Sequence, residues 1–295
     1  MAEKVIINNL SDINIDSISS IQSDSILFIT ECNSDLRVKR LSEKVFDTLN
    51  NLKVIYTKEK KDRYIDFSLN SKSATIILDV SLIDRAKLAS IFNEIYEIAC
   101  QAIIEVYIYY SLASYTPPDS NPPPPNKKVS SVHPRFMGWD DDQANNVMTI
   151  VGLGYEKDKA IGAVEYLESV RSVVFIPNSS ESEYLSKVKE QNEHLIRLTK
   201  APDRIAYNVQ SPFKTVMEID AVLSTCGHRY KPVLLPFGPK IFYACSLLAA
   251  LAHSNASVWY VSGEENEEKK CNQKPVSIFG LKCSIQVLNN QDDES

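Results

Sequence analysis

Short uninterrupted apolar runs alternate along this chain with segments whose apolar residues recur every three or four positions, and the alternation occurs twice. In the N-terminal half, "SILFIT" (25–30), "KVIYTK" (53–58), "ATIILDV" (74–80) and "IEVYIYYS" (104–111) read as buried strands. Between them, Leu36, Val38, Leu41, Val45, Phe46 and Leu49 fall at helical spacing, and "SLIDRAKLASIFNEIYEIAC" (81–100) reads as an amphipathic helix. Asn33, Ser34 or Asp35 would cap the first helix. "RYIDFSL" is a candidate further strand. Strands that are apolar throughout are buried on both faces. Alternating with helices, they demand a mainly parallel sheet covered on both sides.

The C-terminal half repeats the order. "NVMTIVGLG", "VRSVVFIPN", "KPVLLPFG" and "ASVWYVSG" read as strands, separated by the helical segments "YEKDKAIGAVEYLES", "SESEYLSKVKEQNEHLIRLT", "PFKTVMEIDAVLSTCG" and "PKIFYACSLLAALAH". The expected fold class is therefore α/β, with two Rossmann-like units of mainly parallel sheet flanked by helices. Ancient duplication and convergent patterning both account for the parallel. Between the halves lies "TPPDSNPPPPNKK", whose six prolines exclude helix and central strand. The expected organisation is an N-terminal unit over 1–115, a proline-rich linker over 116–146, and a C-terminal unit over 147–295. The linker is either an extended spacer or an arm that docks in an aromatic groove. "PVSIFGLKCSIQVLNN" (275–290) is expected to add one or two strands, as a hairpin on a sheet edge of the C-terminal unit.

A net charge of −6 argues against a broad surface for nucleic acid or an anionic membrane. The uncharged run from Ile241 to Ala252 is too short to span a bilayer of ~30 Å as a helix. The N-terminus is mixed and polar, so the expectation is a cytoplasmic protein. The six cysteines are scattered, with no C-x-x-C pair; Cys226 and His228 lack a second ligand pair, so no metal site is expected.

In a doubly wound sheet, ligands bind beyond the carboxyl ends of the strands. Gly152 and Gly154 follow a strand and precede a helix, either as a tight turn or as a loop presenting backbone N–H groups to an anion. The dinucleotide fingerprint would need a glycine where Lys157 stands, so no dinucleotide cofactor is expected. Gly238 permits positive φ, and Pro239 suits a first helical turn. Lys240 then faces its own helix dipole, a mismatch that a bound anion would offset. Asn178, Ser179 and Ser180 follow another strand and either cap the next helix or meet a ligand. In the N-terminal half, Cys32, Asp79 and Asp84 lie near strand ends, but no histidine in the first 132 residues could serve Cys32 as a base. His133, His194, His228 and His253 form no recognisable dyad with a nucleophile.

"TIVGLGYEKDKAIGAVEYLE", "VLLPFGPKIFYACSLLAALA" and "SVWYVSG" together resemble the CRISPR-associated Rossmann-fold sensor domains and their fused form in cyclic-oligonucleotide sensors of prokaryotic antiviral defence. The resemblance covers Val147 to Gly263, and the N-terminal half in outline. It implies that Gly152, Gly154, Asn178, Gly238 and Lys240 line a site for a nucleotide, a cyclic oligonucleotide or a similar anion. It also implies a non-catalytic sensor or assembly subunit that acts through other protein subunits. The alternative is an enzyme acting on a nucleotide or nucleic acid at the strand ends of the C-terminal unit. Asp79 and Asp84 depart from the pattern, because a phosphate site would prefer lysine or glycine there.

Overall fold

A computed structural model of the chain describes residues 3–31, 35–58, 63–65, 73–117, 128–138, 146–262 and 273–289. The chain is α/β and divides into two compact units, Met1–Ser114 with Lys270–Ser295, and Tyr115–Lys269.

Unit 1 holds a six-stranded mixed sheet. Its parallel part comprises β2 (Ile26–Thr30), β3 (Leu52–Tyr56), β4 (Ser73–Asp79) and β5 (Ile103–Ala113), in the order β3-β2-β4-β5. Helix α1 (Leu36–Thr48) crosses from β2 to β3, and α2 (Arg85–Ala99) from β4 to β5. From the apolar stripe of α1, Leu41 and Val45 pack with Phe28, Ile77 and Tyr109 from one sheet face, and Val38 is buried as well. Each such side chain contributes about 1.5–3 kcal/mol when fully buried. By strand alternation, Leu27, Ile29, Ile76, Val106 and Ile108 face the other side, toward the largely buried α2.

Two antiparallel strands complete this sheet. β1 (Glu3–Asn14) forms the edge, and β12 (Pro275–Asn289) lies between β1 and β5. The C-terminal strand therefore belongs to unit 1, not to a unit spanning 147–295, and it is one long interior strand rather than an edge hairpin. Gly280 permits this insertion, because a Cβ there would lie 1.8 Å from the Ile108 carbonyl oxygen. β1 escaped the sequence reading because an edge strand with a solvated face carries too many polar residues to stand out.

Unit 2 holds β7 (Asn146–Gly152), β8 (Arg171–Asn178), β9 (Arg204–Asn208), β10 (Tyr230–Pro236) and β11 (Ser257–Ser262), parallel and in the order β11-β10-β7-β8-β9. A short β6 (Lys128–Ser131) pairs antiparallel with β11. The expected linker thus contributes an edge strand and a 3-10 turn, Pro134–Phe136, whose Phe136 is buried. The proline-rich residues 118–127 lie outside the described residues, as do most of "RYIDFSL" and Cys32, Asn33 and Ser34. Helices α3 (Lys159–Tyr166), α4 (Ser182–Gln191) and α5 (Glu193–Leu198) cover one sheet face, with Ala160, Ala163, Val188 and Leu195 packed on Val151, Val174 and Val233. α6 (Pro212–Ser224) and α7 (Lys240–Ala252) pack together on the other. The expected long polar helix over 180–199 is two helices meeting at Asn192, and the following β9 lay outside the sequence reading.

Candidate functional site

In unit 2 the crossover from β7 leads to β8, while β10 lies on the opposite flank of β7. The loops leaving β7 and β10 therefore start side by side and diverge, which is the topological switch point where doubly wound sheets hold ligands. The register sets Gly152 opposite both Pro236 and Phe175.

The three glycines meet at this point, each because of a close contact. A Cβ on Gly152 would lie 2.2 Å from the Phe242 ring, and one on Gly154 would lie 2.4 Å from the Phe237 carbonyl oxygen. A Cβ on Gly238 would approach the Leu153 carbonyl oxygen to 3.0 Å and Tyr207 Oη to 3.3 Å. The two loops thus pack backbone to backbone. Gly238 does not adopt the positive φ that the sequence allowed; the positive-φ glycines among the described residues are Gly138 and Gly227. Phe175, Tyr207 and Phe242 pack against one another, tilted or edge-on, with ring centroids 5.1–6.2 Å apart.

Lys240 is the first residue of α7 and is half-buried; Pro239 at the cap position supplies no side-chain acceptor. Among the described residues no side chain caps α3 or α4 either. Asp158 before α3 is left-handed at φ 57°, and the adjoining Lys159 pairs with Glu156 at 2.7 Å. Asn178 ends β8 with an exposed side chain, and its carbonyl accepts from Val209 N at 2.8 Å. Ser179 does not cap α4; its Oγ accepts from Glu181 N at 3.3 Å within the loop.

Sequence reasoning missed two features here. Asn192, buried between α4 and α5, donates from Nδ2 to the Gly154 carbonyl at 2.7 Å and to the Val188 carbonyl at 2.8 Å, pinning the β7 loop from below. Its signal was an asparagine amid an otherwise helical run. Tyr155, Tyr184 and Tyr115 cluster, with Tyr184 edge-on to Tyr115 at 5.0 Å and tilted against Tyr155 at 6.2 Å. Residues so far apart in the chain leave no periodic signal.

The equivalent end of the unit 1 sheet is built from acids. Asp79 is fully buried and accepts from Ser81 N at 3.0 Å, Ser81 Oγ at 2.5 Å and Thr30 Oγ1 at 3.3 Å. Ser111 N donates to Ser81 Oγ at 2.9 Å, and Thr57 Oγ1 donates to Glu31 Oε2 at 2.8 Å. Asp35 caps α1 by accepting from Arg37 N at 2.9 Å while gripping the Arg37 guanidinium through both carboxylate oxygens. Asp84 caps α2 by accepting from Lys87 N at 2.8 Å. These acids hold the structure together, and their charge opposes an anion.

Elsewhere, His253 pairs with Asp220 at 2.7 Å, at the end of α7 opposite the crevice. Burial pushes the Cys226 thiol up to about 11 and the Cys283 thiol up to about 12, which suppresses the reactive thiolate. Among the described residues no group of three or more histidine, cysteine or acidic side chains is placed to hold a metal ion, and no helix is long and apolar enough to cross a membrane. No protein-family model matches the chain, and no curated protein matches it in sequence.

Proposed function

We propose that this chain is a non-catalytic sensor or assembly subunit that binds a nucleotide-like anion in unit 2 and acts through partner proteins, within prokaryotic antiviral defence. The observation that carries the binding reading is the convergence at the unit 2 switch point. The two loops pack tightly on each other, the helices they lead into carry no side-chain cap, and α7 begins on Lys240. Helix starts of this kind attract anions through exposed N–H groups and the helix dipole. The non-catalytic reading draws support from how the polar groups are used: Asn192 holds backbone, and the buried acids of unit 1 hold helix caps and turns.

The test is a thermal-shift screen of the full chain against nucleotides and cyclic oligonucleotides. A ligand at a hundred times its Kd stabilises the native state by about 2.7 kcal/mol. The expected result is a shift with at least one nucleotide ligand that Lys240→Ala abolishes. No shift with any of them would overturn the ligand reading, and turnover of the ligand would replace the sensor with an enzyme. Purification from the native host should bring down partner subunits; a lone monomer would overturn the assembly role.

A further inference from the structure

A cavity of about 370 Å³ opens on the sheet of unit 1, over β1, β12 and β5. Its origin is local. Asn8 pairs with Ser284 and Ser11 with Lys282, so Asn9 and Leu10 share the place opposite Cys283. One extra residue of this kind makes a β-bulge, which bends the strand and re-aims its side chains, and bulges recur at sheet edges beside active sites. Asn9 makes the bend at φ 54°, a left-handed conformation that asparagine tolerates better than most residues. Its Nδ2 donates to Ser284 Oγ at 2.9 Å, and Ser284 Oγ donates to the Asn8 carbonyl at 3.3 Å. The bulge is thereby tied to β12.

The register brings charges of opposite sign to this cavity. Lys282 stands opposite Tyr107 and Ser284 opposite Glu105, so Lys282 and Glu105 are diagonal neighbours on one sheet face. Diagonal neighbours on paired strands have Cβ atoms ~7–8 Å apart, within reach of long side chains. Among the described residues, however, Lys282 and Glu105 form no ion pair, and both line the cavity. Glu105 accepts from the Tyr107 hydroxyl instead. Tyr107 is 8% exposed; burial, and then the Glu105 charge, raise its hydroxyl above the ordinary phenol value, so it keeps its proton and serves as a donor.

Two opposite charges set around one cavity select the ligand's charge. A simple anion would be drawn to Lys282 and repelled by Glu105, and a simple cation the reverse. A molecule carrying both signs close together satisfies both. We infer that the bulge cavity of unit 1 binds a small zwitterion of the α-amino-acid class, with Lys282 on the carboxylate and Glu105 on the ammonium. Ser11 also lines the cavity, and its hydroxyl makes no hydrogen bond within the described residues, so it supplies a neutral polar contact. The volume lies at the small end of ligand pockets. The site uses neither a helix start nor a phosphate, and it stands apart from the anion reading of unit 2.

The test is saturation-transfer NMR on the full chain, titrated with each standard L-amino acid. For the best binder, the amine lacking its carboxylate and the acid lacking its amino group serve as controls. Exposed charge pairs contribute little each, so the expected Kd is about 0.1–10 mM. Each control should bind about tenfold more weakly, because it loses one attraction and keeps one repulsion. Lys282→Met and Glu105→Gln, each shown folded by circular dichroism, should weaken the amino acid about three- to fivefold. Lys240→Ala in unit 2 should leave it unchanged. Binding by no amino acid overturns the site. A control that binds as tightly as its parent overturns the zwitterion. Binding that survives both unit 1 substitutions, or that Lys240→Ala abolishes, places the ligand elsewhere and overturns the assignment to this cavity.

Discussion

Units 1 and 2 are similar sheets with opposite chemistry at the same end. In unit 1 the helices that follow β2 and β4 begin on Asp35 and Asp84, whose carboxylates accept from the first-turn N–H groups. In unit 2 the helices that follow β7, β8 and β10 begin without a side-chain cap among the described residues, and two of them begin on lysine. Unit 1 caps these helix starts with carboxylates; in unit 2 the residues at the same positions, Asp158, Glu181 and Pro239, make no side-chain cap hydrogen bond. The fold alone therefore does not determine a site. What separates the two ends is whether a side chain caps the helix starts.

The largest effect should come from removing the buried acid that organises unit 1. Asp79→Ala strands the donors of Ser81 and Thr30, and should cost about 3–4 kcal/mol. Urea unfolding followed by hydrogen exchange should show the loss in unit 1 and not in unit 2; equal loss in both would end the separation of the units. Next, Gly154→Ala drives a methyl group against the Phe237 carbonyl and should cost unit 2 about 2–3 kcal/mol. A neutral result would mean that the two loops do not need their close contact.

Smaller effects sharpen the contrast. Asp84→Ala should cost unit 1 about 1 kcal/mol through the lost cap. Pro239→Asp should make the start of α7 resemble those of unit 1. It should raise stability by about 0.5–1 kcal/mol, and weaken any nucleotide found in the thermal-shift screen, because the new carboxylate takes the ligand's place. Higher stability with unchanged ligand affinity would break the link between caps and anion binding.

The smallest effect is a pH slope in unit 1. Burial raises the Glu94 carboxyl above its ordinary 4.5, against the lowering effect of hydrogen bonds from Tyr64 N and Ile65 N. A carboxyl raised in the folded state binds its proton more tightly there than in the unfolded chain. Its contribution is full below the ordinary value and is lost as pH rises through the raised one. Glu94→Gln should flatten that part of the stability curve, measured by urea midpoints from pH 4 to 7; an unchanged slope would assign it to other groups.

The parallel strands and most helices were legible because their patterns are local. β2, β4, β7 and β10 are short apolar runs, and the stripe Val38–Leu41–Val45 is readable at helical spacing. The sheet that received β12 was not legible, because antiparallel pairing with β1 and β5 joins residues more than 150 positions apart. Gly152, Gly154, Gly238 and Lys240 were singled out from loop position alone. The reason for the glycines was not, since Phe237 and Phe242 become their neighbours only when the loops meet. Asp79 and Asp84 were recognised as unsuited to phosphate, but a sequence cannot distinguish a cap from a buried turn-former.

The return of β12 to the first sheet sets an order of events during synthesis. Unit 1 cannot close until the ribosome has passed the whole of Tyr115–Lys269 and released the strand after it. At ~5–20 residues per second that is a wait of roughly 8–30 s, during which unit 2 can fold as a complete insertion and β5 keeps an open edge. The first unit to begin is thus the last to finish, and translation itself exposes an aggregation-prone strand that only the final residues of the sheet can cover.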